Sequence, residues 1–363
     1  MTKINSISTV KDVTAIMVMI FMIISCGSDS NDNRGLWEPA GLENMQIFEI
    51  KEADGTLYVA AGRNGVFRKD MDGDSDWEFL GLDEPEAKVG ISTVEVDPST
   101  GTLYAGFHRL NPSGLTNTIA GIFRSTNNGE SWEPFDSGFE EATGSFRDIT
   151  LGLKASPLDD DLMFARTAMG QFRKNPGSDE WTFLDESLVA GDILLRAFSI
   201  NPSNPAQIWA GAANDLTQVV MMKSEDNGDT WENVRLGGVQ EFTDGILEIA
   251  IDPTNENTVY ACLSSKLVRS NDGGETWEVV IQVESNGETV FYPCSSVSFH
   301  PDAPGTIIVA GSFIRLSEDG GETWRQISEE DRKGIRSIYI DWQQRKIYAG
   351  LINPDEGLFE LDF

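Results

Sequence analysis

Residues 270–277 read SNDGGETW, and this stretch recurs along the 363-residue chain. The other copies are residues 224–231 (SEDNGDTW), 317–324 (SEDGGETW) and, more divergent, 125–132 (STNNGESW). Trp77 and Trp181 end two degenerate copies. The six tryptophans are spaced 46 to 55 residues apart, which suits one four-stranded propeller blade per copy.

A second pattern precedes each of these boxes. Seven short apolar segments share the form of a buried strand that ends in Ala-Gly or a variant of it, namely residues 56–60, 102–106, 162–165, 207–211, 258–262, 307–311 and 346–350. Most are preceded by a turn containing proline, which fixes φ and ends the preceding strand. Seven copies predict an all-β fold, a seven-bladed β-propeller.

The last blade lacks a tryptophan of its own at the C-terminal end. Residues 36–39 (LWEP) copy residues 131–134 (SWEP) of a complete blade. We therefore expect residues 36–42 to be the outer strand of the seventh blade, paired with the strand that ends near Asp362. Trp37 would then hold the place that Trp132 holds in the second blade, and the ring would have no exposed sheet edge.

Composition narrows the classes of partner. The formal net charge is −32, from 59 acidic and 27 basic residues, so nucleic acid is not expected as a partner because phosphate binding needs a basic surface. The two histidines and three cysteines provide no Cys/His zinc site. We predict no metal and no cofactor.

The N-terminal segment predicts export. An apolar run over residues 13–24 is followed by residues 23–27, IISCG, which resemble the lipobox of bacterial lipoproteins. The resemblance implies a signal peptide over residues 1–25, lipidation of Cys26, a flexible acidic tether over residues 26–35 and a propeller over residues 36–363. The protein would lie in the bacterial cell envelope, at the outer membrane or cell surface, and contact the membrane through its lipid only. An ordinary cleaved signal with an incidental cysteine is the alternative.

The boxes resemble the Asp-boxes (BNR repeats) of sialidases, sortilin, xyloglucan-degrading glucanases and the photosystem II assembly factor. The resemblance implies that each box is a hairpin between the third and fourth strands of a blade. Its Asp would bond turn amides and its Trp would pack between strands. The residues assigned this structural role are Asp226, Asp272, Asp319, Trp132, Trp231, Trp277 and Trp324.

Ligands of propellers usually bind at the mouth of the central channel. Arg196 and Arg336 align, five residues before Asn201 and Asp341, and Arg147 lies near the same level. Sialidases clamp a sugar carboxylate with three arginines, so the resemblance implies an anion site, although pairing with neighbouring acidic residues is the alternative. In the insertion at residues 107–120, His108 and Arg109 are further ligand candidates, or are simply solvated.

No catalytic residue is assigned from the sequence. Asp148, Asp244 and Glu248 lie near the expected starts of inner strands, where we expect them to be solvated. Whether Cys262 and Cys294 form a disulfide stays open. The expected function is a binding or scaffolding module for a protein or glycan, and the alternative is a glycoside hydrolase of sialidase or glucanase type.

Overall fold

The computed structural model describes residues 36–73, 75–84, 90–108, 121–139, 150–158, 161–167, 170–184, 193–214, 219–239, 245–282, 284–285, 290–291, 294–328, 334–351 and 357–363. These residues form seven four-stranded antiparallel sheets and one two-stranded hairpin, and they contain no α-helix. Each four-stranded sheet is a blade, so the seven-bladed, all-β propeller is confirmed. Within the same ranges, no helix is long and apolar enough to cross a membrane.

The chain enters the fold through β1 (Glu38–Gly41), and six blades then follow one another in sequence order. The first three consist of β2 (Glu49–Ala53), β3 (Thr56–Ala60), β4 (Val66–Asp70) and β5 (Glu78–Gly81); β6 (Gly90–Val96), β7 (Leu103–His108), β8 (Ile122–Ser125) and β9 (Glu133–Pro134); and β10 (Thr150–Ala155), β11 (Met163–Thr167), β12 (Gly170–Lys174) and β13 (Trp181–Phe183).

The next three consist of β14 (Ile193–Ile200), β15 (Ile208–Asn214), β16 (Val219–Ser224) and β17 (Glu232–Val234); β18 (Ile246–Asp252), β19 (Asn255–Leu263), β20 (Lys266–Ser270) and β21 (Glu278–Gln282); and, after the hairpin of β22 (Glu284–Ser285) and β23 (Val290–Phe291), β24 (Ser296–Phe299), β25 (Ile307–Ala310), β26 (Ile314–Ser317) and β27 (Arg325–Gln326).

The seventh blade contains β28 (Ile335–Asp341), β29 (Lys346–Leu351) and β30 (Leu358–Asp362), with β1 as its outer strand. Glu38 lies opposite Glu360, and Pro39 lies opposite Phe359. Trp37 packs against the apolar cluster between the sixth and seventh blades, as Trp132 does between the first and second. Closure of the ring by the N-terminal outer strand is therefore confirmed.

The second strand of each blade is the repeated apolar segment found in the sequence. It pairs with the first and third strands of its own sheet, and the neighbouring blades pack against its two faces, so both faces are covered. All four residues of β25 are buried, for example. This is why these strands read as continuous apolar runs instead of alternating patterns.

The register of the seventh blade defines two faces of the propeller. Asp341 lies opposite Lys346, which lies opposite Asp362, and Trp37 lies at this same edge. Arg336 and Gly41 lie at the other edge of the blade, where β28 begins and β1 ends. We call the face where inner strands begin the mouth face, and the face where they end the turn face.

Each box segment forms a turn on the turn face. In residues 270–277, Oδ1 of Asp272 accepts the Thr276 amide at 2.9 Å and Oδ2 accepts the Thr276 hydroxyl at 2.5 Å. The Thr276 hydroxyl and amide lower the pKa of Asp272 to about 2. The Ser270 hydroxyl accepts the amide of Gly274, which has a φ of +97° that favours glycine. Asp226 and Asp319 make the same set of bonds.

The box tryptophans use their indole N–H in two ways. The indoles of the first three blades donate to a carbonyl of the preceding blade: Trp77 to Ala40, Trp132 to Leu80 and Trp181 to Phe135, at 2.7 to 2.9 Å. Those of the next three donate within their own turn: Trp231 to Gly228, Trp277 to Gly274 and Trp324 to Gly321. The first arrangement ties neighbouring blades together, and the second closes the turn itself.

The inner strands end in side-chain caps on the turn face. Oδ1 of Asn201 accepts the Ser203 amide at 2.9 Å, as expected of an Asx turn. His300 takes this place in the sixth blade, where its Nδ1 accepts the amides of Asp302 and Ala303, each at 3.1 Å. Its ring lies 4.8 Å from that of Trp342, the residue that follows β28.

A disulfide joins Cys262 of β19 to Cys294, with 5.4 Å between the two Cα atoms. Both cysteines are fully buried, at 0% and 1% exposure. The bond therefore links the fifth blade covalently to the start of the sixth, which settles the question that the sequence left open.

Candidate functional site

The inner strands of the seven blades line a central channel with a cavity of about 670 Å³. Its wall combines apolar side chains with serines and charged groups, including Lys51, Lys154, Glu248 and Arg336. A concave site with a few converging polar groups is the usual form of a ligand site.

Five of the seven inner strands carry a register shift near the mouth face. The residues at the shift are Ser92, Leu151, Arg196, Leu247 and Arg336. A bulge of this kind adds a residue and re-aims its side chain, and bulges are frequent beside functional sites.

The bulges place Arg196 and Arg336 at equivalent positions of the fourth and seventh blades, as the sequence alignment predicts. The side chain of Arg196 is outside the described part of the chain. In the third blade the equivalent position is held by Leu151, and Arg147 itself lies outside the described residues.

Arg336 stands at the rim of the channel. It is exposed, and its guanidinium carbon lies 4.3 Å from the ring centroid of Phe48, which belongs to the first blade. Partial burial lowers the pKa of Arg336. Among the described residues no carboxylate pairs with Arg336, so its N–H donors are not used by an acidic neighbour.

One residue further into the channel, two carboxylates occur on non-adjacent blades. Oε2 of Glu49 accepts the Thr93 hydroxyl and, at 3.1 Å, the Val94 amide, both from the second blade. Burial raises the pKa of Glu49, although Lys154 opposes the shift.

Glu248 holds the same level in the fifth blade. Burial raises its pKa to about 7, against the opposing effect of Lys154 and of the nearby polar groups of Ser296 and Val297. Glu248 is partly exposed where it lines the channel, and β18 packs between β14 and β24, so the expectation that this carboxylate is solvated holds only in part. Asp148 and Asp244 lie outside the described residues.

Lys154, on the third blade, interacts electrostatically with both carboxylates and lowers the pKa of each. At the next level, Nζ of Lys51 lies 2.7 Å from Oε1 of Glu95, whose side chain is 2% exposed. Burial by itself would lower the pKa of Lys51, but Glu95 raises it. The channel thus contains both signs of charge, a poor environment for a strongly charged ligand but a suitable one for a polar, hydrogen-bonding one.

Sequence reasoning missed Arg166, which also lines the channel although it belongs to β11, a second strand. A Cβ atom on Gly152 would lie 3.3 Å from Nη2 of Arg166, so the missing side chain leaves room for the guanidinium to cross the inner strand. A glycine inside a strand pattern is the one available signal of such a close approach.

The other sequence candidates are only partly described. His108 ends β7 opposite Gly90 on the mouth face, but its side chain is outside the described part of the chain. Arg109 and Cys26 lie outside the described residues. Among the residues that the structure describes, no group of three or more His, Cys, Asp or Glu side chains is arranged to hold a metal.

No family model matches the chain. It is 34% identical over 90 residues to a probable oligoxyloglucan-reducing end-specific xyloglucanase of Neosartorya fischeri, covering 23% of this chain and 10% of that protein. It is 25% identical over 173 residues to a xyloglucanase of Hypocrea jecorina, covering 44% of this chain and 21% of the relative. The chain therefore spans 10% and 21% of the length of these two relatives.

Solved structures show the same fold. YCF48 bound to D1 peptide matches with a TM-score of 0.63 and 16% identity, over 92% of this chain and 96% of that one. The extracellular domain of a putative one-component system of B. thetaiotaomicron matches with a TM-score of 0.63 and 13% identity, over 91% and 40%. The Niastella koreensis GH74 enzyme matches with a TM-score of 0.51 and 16% identity, over 84% and 53%. The chain is thus a propeller similar to GH74 xyloglucanases, to YCF48 and to bacterial extracellular sensor propellers.

Proposed function

We propose that this protein is a binding or scaffolding module of the bacterial cell envelope that recognises a protein or glycan ligand at the mouth face. The observation that carries the proposal is Arg336, which stands at the rim over Phe48, 4.3 Å away, without an acidic partner among the described residues. A planar guanidinium held against an aromatic ring offers several N–H donors to a carboxylate of a ligand.

The remaining candidates extend this rim. Arg196 occupies the position in the fourth blade that Arg336 occupies in the seventh. His108 ends a strand on the same face, and Arg109 follows it in sequence. Together with Arg147, these residues form the proposed anion-recognising edge of the site.

Attachment to the membrane through a lipid on Cys26 is part of the proposal. Leu36 and Trp37 lie on the turn face, so the chain enters the propeller opposite the channel mouth. Ten residues, 26 to 35, precede Leu36 and span at most about 36 Å when fully extended.

Arrays of glycans and of peptides, probed with the purified protein and an Arg336→Ala variant, test the proposal. We expect Arg336→Ala to weaken binding about 10- to 100-fold, which corresponds to about 1.5–3 kcal/mol for a charged hydrogen bond. The matched control is Arg345→Ala, since Arg345 also covers an aromatic ring, Phe363 at 4.9 Å, but lies on the turn face. Equal effects of the two variants, or no bound ligand on either array, would refute the proposal.

Glycoside hydrolysis is the second candidate function, and one observation favours it. Glu248, with its pKa near 7, interacts electrostatically with Glu49, and glycosidases need one protonated and one ionised carboxyl group. Both xyloglucanase relatives act on glycans by name. Release of chromogenic aglycones or cleavage of xyloglucan that is lost in Glu248→Gln and Glu49→Gln would establish this function in place of binding alone.

A further inference from the structure

We propose that the Cys262–Cys294 disulfide is a positioning element of the channel site, which holds Glu248 against the start of the sixth blade and so sets the surroundings of its carboxyl group. The inference deepens the proposed function, because Glu248 lines the channel to which we assign ligand binding.

The two cysteines flank the contacts of Glu248. Cys262 lies directly opposite Glu248 in the pairing of β18 with β19. Cys294 precedes Ser296 by two residues, and Ser296 and Val297 belong to β24, which packs on β18 and lines the channel together with Glu248. The disulfide therefore joins the residue opposite Glu248 to the segment that leads into the neighbouring inner strand, β24.

The disulfide is the covalent link in a contact between the fifth and sixth blades that apolar side chains otherwise form. Cys262 and Cys294 belong to one buried cluster with Tyr260 and Leu267 of the fifth blade and Val309 of the sixth. Without the bond, only packing would keep β24 against β18 at this level. Since Glu248 lies on β18 where β24 packs against it, separation of the two strands would admit more water to its carboxylate.

The connection between the two blades depends on the same bond. The hairpin of β22 and β23, with Glu284 opposite Phe291, belongs to this connection. Cys294 fixes the end of the connection where it meets the sixth blade. The disulfide thereby also fixes the point from which the hairpin departs near the mouth of the channel.

The charged groups that face Glu248 come from the other side of the channel. They are Lys154 of the third blade and Glu49 of the first. On the adjacent fourth blade, β14 carries Arg196, whose side chain is outside the described part of the chain. Lys154 and Glu49 belong to the third and first blades, so a change confined to the bond alters the fifth and sixth blades without altering these two charges.

Reduction provides a chemical route to the same change. A dithiol such as dithiothreitol supplies two electrons and two protons, the S–S bond breaks, two S–H bonds form, and the reductant leaves as its cyclic disulfide. Because both cysteines are buried, reduction requires local opening of the joint, and substitution is the cleaner perturbation.

The experiment follows the carboxyl signal of Glu248 by 13C NMR in full-length protein with labelled glutamate, assigned through Glu248→Gln in each background. The perturbed protein carries Cys262→Ala and Cys294→Ala. We expect the pKa of Glu248 to fall by about half a pH unit or more, because burial is the main cause that raises it and water entering the joint removes part of that burial.

The matched control is Leu103→Ala, which leaves a cavity at a fully buried site of the second blade and so loosens the fold away from the disulfide. An unchanged Glu248 pKa in the folded double variant overturns the proposal and leaves the bond a stabiliser only, as does an equal fall in Leu103→Ala. If the double alanine variant does not fold, Cys262→Val with Cys294→Ala, which refills lost volume, is titrated instead. The readout needs no ligand, so it fails or succeeds independently of the proposed binding function.

Discussion

Closure of the ring by β1 can be tested with two leucines at the ends of the same segment. Leu42 is 6% exposed and packs in the cluster between the seventh and first blades, whereas Leu36 is 66% exposed. Truncating a buried leucine to alanine costs about 2–5 kcal/mol, and truncating an exposed one costs less than about 0.5 kcal/mol.

The expected difference is large enough to measure by melting. For a domain of this size, about 1 kcal/mol changes the melting temperature by roughly 2 °C. Leu42→Ala should therefore lower the melting temperature by about 6 °C, and Leu36→Ala by about 1 °C or less. Differential scanning calorimetry on both variants gives the comparison.

A deletion tests the strand as a whole. Removing residues 36–42 loses Leu42, the packing of Trp37 and the acceptor at Ala40 for the Trp77 indole, at 2.9 Å. Together these contribute about 6 kcal/mol, which is comparable with the total stability of many domains. Removing residues 28–33 instead should leave the melting temperature unchanged. Equal melting of the two deletions, or of the two leucine variants, would refute closure by this strand.

Three further predictions concern other parts of the chain. Cys26→Ala should abolish labelling by a palmitate analogue and release the protein from membranes, and unchanged labelling would contradict lipidation. Because the pKa of Glu248 is raised from 4.5 to about 7 in the folded state, the free energy of unfolding should fall as the pH rises from 4.5 to 7, and Glu248 should account for about 3 kcal/mol of this fall at most. Urea titrations should show a larger fall in the wild type than in Glu248→Gln, in which Glu49, whose pKa is also raised, still titrates. His300→Ala should lower the free energy of unfolding by about 1–2 kcal/mol, because two amides lose their acceptor. His300→Asn should retain most of this stability, because Asn201 caps the equivalent turn of its own blade with its side-chain oxygen. Equal losses of stability for the two variants in denaturant titrations would contradict the capping role.

The fold could be predicted because its information is local and repeated. Each second strand carries the same apolar pattern, and each blade ends near a tryptophan, so counting sufficed to give the number of blades. Trp37 was informative for the same reason, since a spare copy at one end of the sequence matched a missing copy at the other. No knowledge of the angle between blades was needed.

The site depends on contacts between blades, and these are not encoded locally. The pKa of Glu248 is raised by burial because β18 packs against strands of the fourth and sixth blades, which are distant from it in sequence. Arg166 reaches the channel only because Gly152, on the neighbouring strand, has no side chain. The alignment of Arg196 with Arg336 could be found from the sequence because it concerns backbone positions, whereas the surroundings of their guanidinium groups could not.

The pairing of β1 with β30 also has a kinetic consequence. Glu38 and Glu360 are partners although they lie 322 positions apart in the sequence, whereas consecutive strands within the other blades are separated by 13 residues or fewer. Contacts of such large sequence separation form slowly. During folding, β1 therefore pairs late, and until it does the edge of β30 is exposed. In partly folded chains this edge is where two molecules would associate.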